Sequence, residues 1–280
     1  MSLLDPLRER AGSLLFARVA GPDGPRNREK IHLSPGPRWF PPDSPIRRVH
    51  GDSSMFIGGL SALLMQSLHP VAMAAVAGHS GFRGDPWGRL QRTSTFLATT
   101  TYGTASSAEA ACARVRGVHE RIRGFTDEGI AYRASDPHLL EWVHVAEADS
   151  FLRAHQKYGA RPLSIAECDT YVAQTARIAQ ALGVLEPPRS LSALKARIGD
   201  YRSELACTPA ALETTRYLLL RPPIPVVALP FYGVLASNAV ALLPPWASSE
   251  LRFTRCERVE QWAVRPAGRA ATGLIRWAMR

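Results

Sequence analysis

Four short constellations in this chain have the residue types and spacing to do chemistry. The first is a histidine in an apolar stripe. Drawn on a helix at about 100° per residue, Ala108, Cys112, Val115, His119 and Ile122 share one face, while Arg114, Arg116, Glu120, Arg121 and Arg123 make the rest of the segment charged. An imidazole inside such a stripe must satisfy two ring nitrogens in a low-dielectric place. A metal can take one, and a carbonyl or carboxylate commonly takes the other. Arg116 and Arg123 flank the stripe and could pair with anionic groups of a molecule bound over the histidine. The alternative is a core histidine bonded to a backbone carbonyl.

The second constellation is Arg89-Leu90-Gln91-Arg92-Thr93. Arg89, Arg92 and Thr93 stand at i, i+3 and i+4, and Phe96 continues the face. Two guanidiniums and a hydroxyl beside an aromatic ring form a clamp for carboxylates carried on an apolar ring system. The bland reading is a solvated basic face. The third is Gln66-Ser67-Leu68-His69-Pro70. It marks a kink, or lines a cavity, because proline leaves the carbonyl four residues earlier without its helical donor. The fourth is Glu141-Trp142-Val143-His144, an E-x-x-H on an expected helix. Di-iron bundles use that spacing twice, with two further glutamates. The other E-x-x-H here, Glu29 to His32, lies in a segment rich in Pro, Gly and Arg.

These residues need elements to position them, and the sequence supplies helices. Little of it alternates with period two, whereas long stretches rich in Ala, Leu and Arg repeat every three to four residues. The reading is all-α: one large multi-helix domain over 1–280. Residues 1–52 form an N-terminal helix and an extended Pro/Arg-rich connection, and residues 53–280 form the helical core. Expected helices run from about 54 to 79 with a kink or break at Pro70, from 87 to 103, and from Ser106 or Ser107 to Gly124. The next opens at Asp136-Pro137 and reaches Tyr158. Ser164-Ile165-Ala166-Glu167 matches a capping box, and Gly183 stops the helix it opens. Further helices are expected at 189–204, at 208–220 and in the C-terminal third, with a turn at Gly81–Pro86.

Composition narrows the function. The chain has 280 residues with 34 basic and 24 acidic side chains, a formal net charge of +10, and 31 of the basic residues are Arg. That balance favours acidic partners such as anionic lipid or an anionic cofactor. No RNA-binding aromatic motif, zinc-finger spacing or basic heptad region occurs, so nucleic acid is not an expected partner. The four cysteines, Cys112, Cys168, Cys207 and Cys256, form no C-x-x-C pair. The N-terminal residues lack signal-peptide order, and a reduced cytoplasmic protein is expected. Residues 224–243 are nearly all apolar, but Pro225, Pro230, Pro244, Pro245 and Asn238 interrupt or bound them. A buried core helix is the expected reading over a membrane span, with peripheral membrane contact as the alternative. G-x-S-x-G, P-loop, HExxH and dinucleotide fingerprints are missing, which removes the simplest hydrolase, NTPase and zinc-protease readings.

The run GDSSMFIGGLSALLMQSLHPVAMAAVAGHSGFRGDPWGRLQRTSTFLATTTYGT, followed by RVRGVHERIRG and YRASDPHLLEWVHVAEADSF, resembles the MpaB/rubber-oxygenase family, which includes the latex-clearing catalytic domain. The resemblance is clear over residues 48–158 and loose over the C-terminal half. Its specificity lies in the order LHP, HSxFRxDPxxRLxRT, VHxxIRG and DPxLLxWVH. It implies an all-helical fold holding haem b, with His119 at the position of the proximal iron ligand and His144 and His69 as fallbacks. In the latex-clearing relatives an Arg-x-x-Lys-Thr face lies near the haem, and its lysine can cap the distal side. Here that face reads Arg89-x-x-Arg92-Thr93, and arginine stays cationic and does not coordinate iron, so the distal ligand is absent or different. Arg92 and Thr93 are then the candidates for catalysis, through contact with dioxygen or peroxide. Arg89, Arg92, Thr93, Arg116, Arg123 and His69 are candidates for holding the cofactor. The function implied is a haem-dependent oxygenase or oxidase acting on a hydrophobic small molecule. A non-catalytic haem or lipid carrier, a non-haem di-iron oxidase built on Glu141 and His144, and a basic membrane-associated scaffold are the alternatives.

Overall fold

A computed structural model describes residues 5–79 and 84–279. Among them the chain is helical almost throughout, and its sheet is one antiparallel pair of short strands. The all-α expectation and the single large helical domain hold. The first two helices are α1 (Asp5–Ala20) and α2 (Gly24–Leu33), followed by α3 (Pro45–His50). The expected extended connection over 21–52 is therefore extended only between α2 and α3. Arg38 pins that stretch: its guanidinium donates to the carbonyls of Ile31, His32, Ser34 and Tyr102.

The core is built on α4 (Met55–Gln66), α5 (Pro70–His79), α6 (Pro86–Tyr102), α7 (Ala105–His119) and α8 (Pro137–Tyr158). Pro70 breaks the expected long helix outright, and α4 and α5 meet at 108°. Proline costs nothing there because it stands at the first position of α5, where its missing N–H has no helical partner. The carbonyl of Gln66 accepts the indole N–H of Trp142 at 3.4 Å. The His69 amide donates to the same carbonyl at 3.3 Å, so the broken ladder leaves it with two donors.

Helix α8 starts as its sequence says, with the Asp136 carboxylate accepting from the His138 amide at 2.9 Å and Pro137 behind it. Trp142, Val145, Ala146, Ala148, Leu152 and Ala154 are all buried. A helix apolar on several sides belongs in the centre of a bundle, and α4 lies along it. Gly58 makes the approach possible: a Cβ there would meet Ala154 Cβ at 3.1 Å and Phe151 Cα at 3.3 Å.

Helix α7 ends at His119, not at Gly124 as expected. Arg123–Phe125 instead forms β1 and pairs antiparallel with β2 (Ala131–Arg133), Gly124 opposite Tyr132. Tertiary packing overrides local helix propensity here. The buried Tyr132 ring lies over Gly124, where a Cβ would meet its hydroxyl at 2.6 Å, and Gly129 supplies the left-handed turn (φ 82°) between the strands. The cap of α7 is Thr104, not Ser106 or Ser107; its hydroxyl accepts from the Ser107 amide.

The remaining elements are α9 (Ile165–Leu182), α10 (Leu191–Asp200) with a 3₁₀ turn Tyr201–Glu204, and α11 (Pro209–Leu220). After them come a 3₁₀ turn Val226–Ala228, α12 (Leu229–Leu242) and α13 (Pro245–Glu250). The last are α14 (Glu257–Val259), a π-helical turn Glu260–Val264 and α15 (Arg265–Ala278). The capping box of Ser164 and Glu167 forms, and Gly183 ends α9 at φ 112°. The apolar segment 224–243 is broken into a turn and α12. Asn238 within it is a core residue whose amide accepts from Tyr158 and donates to the Val234 carbonyl. Among the described residues no single helix is long and apolar enough to cross a membrane. The turn expected at Gly81–Pro86 lies partly outside the described residues.

Candidate functional site

Helices α6 and α7 are joined by Gly103 and Thr104 and pack on each other. The stripe forms on α7 as far as His119, and Ile122 falls beyond the helix end. Ala108 and Cys112 are fully buried, and His119 is half-buried at the far end of the helix. Its Nδ1 is buried with no hydrogen-bond partner. Burial lowers its pKa below the ordinary histidine value, so the ring is a neutral imidazole. Arg116 is exposed and donates to the Ala181 carbonyl at the end of α9. Arg123 leaves the helix altogether and stands exposed on β1 opposite Arg133.

On α6 the expected common face divides. Arg89 turns inward and is half-buried; burial and the neighbouring Arg92 charge both lower its pKa. Arg92 turns outward, 65% exposed, and pairs with the Asp85 carboxylate at 3.1 Å. Thr93 is exposed, while Phe96 packs against the core. Arg89 lies near the start of α6 and His119 at the end of α7.

On α8, Leu140, His144, Glu147 and Phe151 share one face at i, i+4, i+7 and i+11. His144 and Glu147 lie deep among protein atoms, yet each keeps accessible surface. Burial pushes His144 down to about 4 and Glu147 up to about 7. The Nε2 of His144 is buried with no partner. One end of this face meets His50, whose ring stands edge-on to Phe151 and Tyr171 at 5.7 and 5.9 Å and whose Nδ1 lies 2.8 Å from Thr101 Oγ1. Burial lowers the His50 pKa to about 3. His50 thus ties α3, α6, α8 and α9 together around one point. The negative charge of Glu147 reaches Tyr171, adding to the burial that holds that phenol protonated.

Sequence reasoning passed over Glu147 and set His50 aside with the Pro/Arg-rich connection. The signal for Glu147 was present as His144-x-x-Glu147, a carboxylate three residues on along an apolar face. Glu141 is engaged elsewhere: it binds the Arg197 guanidinium and accepts from the Tyr201 hydroxyl at 3.1 Å. It therefore does not act with His144. His69 is buried at the start of α5, among His138, Trp142, Tyr201 and Glu204.

A haem needs an imidazole with an available nitrogen, apolar walls and cations for its two carboxylates. His119 and His144 each present a buried ring nitrogen that no protein group satisfies, and Arg89 is an inward-facing cation. These imidazole donors fit the group.

A helical domain that keeps neutral imidazoles and a carboxyl group in its interior is organised for chemistry within the bundle rather than on its surface. The chain belongs to the MpaB/rubber-oxygenase family: the model described as ER-bound oxygenase mpaB/B'/Rubber oxygenase, catalytic domain, matches residues 47–277. Neither a curated protein nor a solved structure matches the chain. The family is one of oxygenases, so the activity class is oxidoreductase, with a small molecule and dioxygen as reactants.

Proposed function

We propose that this chain is a haem b-dependent oxygenase acting on a hydrophobic small molecule, with His119 as the protein ligand to iron. The observation that carries this reading is the buried, unpartnered Nδ1 of His119 at the end of an otherwise apolar stripe. A neutral imidazole with no protein acceptor or donor at that atom costs stability, and a metal ion removes the cost. When bound, the haem supplies the one-electron and dioxygen chemistry.

The chain's own residues bind, orient and exclude water. Arg89, half-buried near the start of α6, would hold a propionate. Arg92 is held by Asp85 and stands exposed next to Thr93 on α6. Arg116, tied to the end of α9, keeps α7 against its neighbour. Glu147, whose carboxyl burial raises to about 7, is a group that can give or take a proton near neutral pH. His144 is the second candidate for the iron.

A hydrophobic substrate is drawn from an apolar phase. Leu220, Val226 and Val227 are 75%, 80% and 89% exposed beside Arg221, an apolar tip of the kind that touches an anionic membrane surface.

The test is spectroscopic. Purified protein, as isolated or after hemin addition, should show a Soret band with about one haem per chain. His119→Ala should abolish or shift it, and Arg89→Gln should leave its position unchanged. Colourless protein that refuses hemin overturns the reading.

A further inference from the structure

We infer that His69, His138 and Glu204 bind one divalent transition-metal ion, at a place separate from the His119 and His144 rings. The His138 Nε2 lies 2.7 Å from Glu204 Oε2, and the His69 Nε2 lies 3.5 Å from the same oxygen. The three ligand atoms fall within 4.8 Å of one another. Tetrahedral zinc ligands sit roughly 3.3 Å apart for bonds near 2.0–2.1 Å, so a small rotation of the carboxylate opens the space for an ion.

The His69 ring gives the second observation. It is 3% exposed, and its Nε2 is buried with no hydrogen-bond partner while pointing at the cluster. Its other nitrogen faces the Ala72 amide at 3.4 Å, at the long limit of a hydrogen bond.

The surrounding groups are arranged as an outer shell. The His138 Nδ1 lies 3.2 Å from the Tyr201 hydroxyl, which in turn donates to Glu141 Oε2 at 3.1 Å, and Arg197 neutralises Glu141. This is a carboxylate–histidine relay extended through a phenol, the arrangement that orients a ligating imidazole and leaves Nε2 for the metal. The backbone is preset as well: the Ala206 amide donates to the Leu68 carbonyl at 2.8 Å, which holds the Glu204 segment against the His69 elbow.

Two imidazoles and one carboxylate suit zinc, and also iron(II) or cobalt(II). Three protein ligands leave a coordination position free, and it faces solvent, because the side chains of His138 and Glu204 are 52% and 41% exposed. The ion joins three segments far apart in sequence: the bend between α4 and α5, the first turn of α8 and the 3₁₀ turn after α10. Its role is a clip on that bend.

The experiment uses the full chain after chelator dialysis, with Zn²⁺ as the titrant and Co²⁺ as a spectroscopic probe. One Zn²⁺ per chain should bind and raise the thermal midpoint. His138→Gln and Glu204→Gln should each weaken binding by at least about a hundredfold. Tyr201→Phe, which removes the hydroxyl shared by His138 Nδ1, the His138 carbonyl and Glu141 but no metal ligand, should weaken it by about tenfold. Both ligand variants lie at exposed positions, so folding is not at stake as it is for His69. Co²⁺ should give visible bands without the near-ultraviolet charge transfer of a thiolate, which separates this site from Cys207 three residues away. Any of three results overturns the inference: no Zn²⁺ binding, affinity unchanged in Glu204→Gln, or thiolate charge transfer. A haem Soret band unchanged in Glu204→Gln keeps the outcome independent of the haem reading.

Discussion

Arg89 lies in the first turn of α6 and His119 in the last turn of α7, each nearly the same number of residues from the Gly103–Thr104 turn that joins the two contacting helices. Of the basic residues read on α6, Arg89 is half-buried, whereas Arg92 is exposed and pairs with Asp85. Arg89→Gln should therefore raise the rate of haem loss by about tenfold, the worth of one charge-assisted hydrogen bond of roughly 1.5 kcal/mol, with the Soret maximum unmoved. Haem transfer to apomyoglobin measures it. An unchanged rate would remove Arg89 from the binding site.

Adjacent glycines on α4 should respond with opposite sign. Gly58 faces Ala154 and the Phe151 backbone, whereas Gly59 has nothing within 4 Å of a built Cβ. Gly58→Val should destabilise by about 1–3 kcal/mol through overpacking. Gly59→Ala should stabilise by up to about 1 kcal/mol through helix propensity. Chemical denaturation of the two variants decides it; equal effects would contradict the close α4–α8 packing.

Glu147 gives a pH signature. Its pKa in the fold is raised to about 7 from an ordinary 4.5 by burial. A raised carboxyl pKa stabilises the fold below the unfolded value and loses that contribution as pH rises toward 7. Glu147→Gln should match the parent near pH 4 and exceed its stability above pH 7 by about 3 kcal/mol. A difference that does not grow between those limits would place Glu147 in contact with water or a cation.

His50 should show the reverse dependence. Burial depresses its pKa to about 3, so the neutral ring's contribution is complete above 6.5 and falls away as pH drops toward 3. The acid limb of the stability profile should be shallower in His50→Gln, measured as the midpoint of denaturation at pH 4 against pH 7. Identical profiles would mean that the ring is hydrated.

Much of the scaffold was legible because local chemistry wrote it. Asp136-Pro137, the Ser164–Glu167 box and Gly183 each fix a helix end by satisfying or excluding specific backbone groups. The misread boundary at His119 arose where a distant partner decided: the β1–β2 pairing depends on Tyr132 lying over Gly124, and helix periodicity carries no trace of that. The site was legible in part for the same reason. The α7 stripe could be drawn on a wheel, but the division of Arg89 from Arg92 depends on which neighbour packs on α6. The meeting of His69, His138 and Glu204 joins three segments that no local pattern connects.

The exposed tip at Leu220, Val226 and Val227 gives a membrane prediction. Co-sedimentation with vesicles containing anionic lipid should be marked for the parent chain and largely lost in a Val226→Asp, Val227→Asp double variant. Equal sedimentation of both would show that any binding comes from net charge alone.

The central claim is that His119 holds haem iron, and an absorption spectrum of the hemin-treated protein with and without His119→Ala tests it most directly. A Soret band in the parent, about one haem per chain, and its loss or marked shift in the variant is the expected result. An identical spectrum in both proteins, or no band in either, would contradict it.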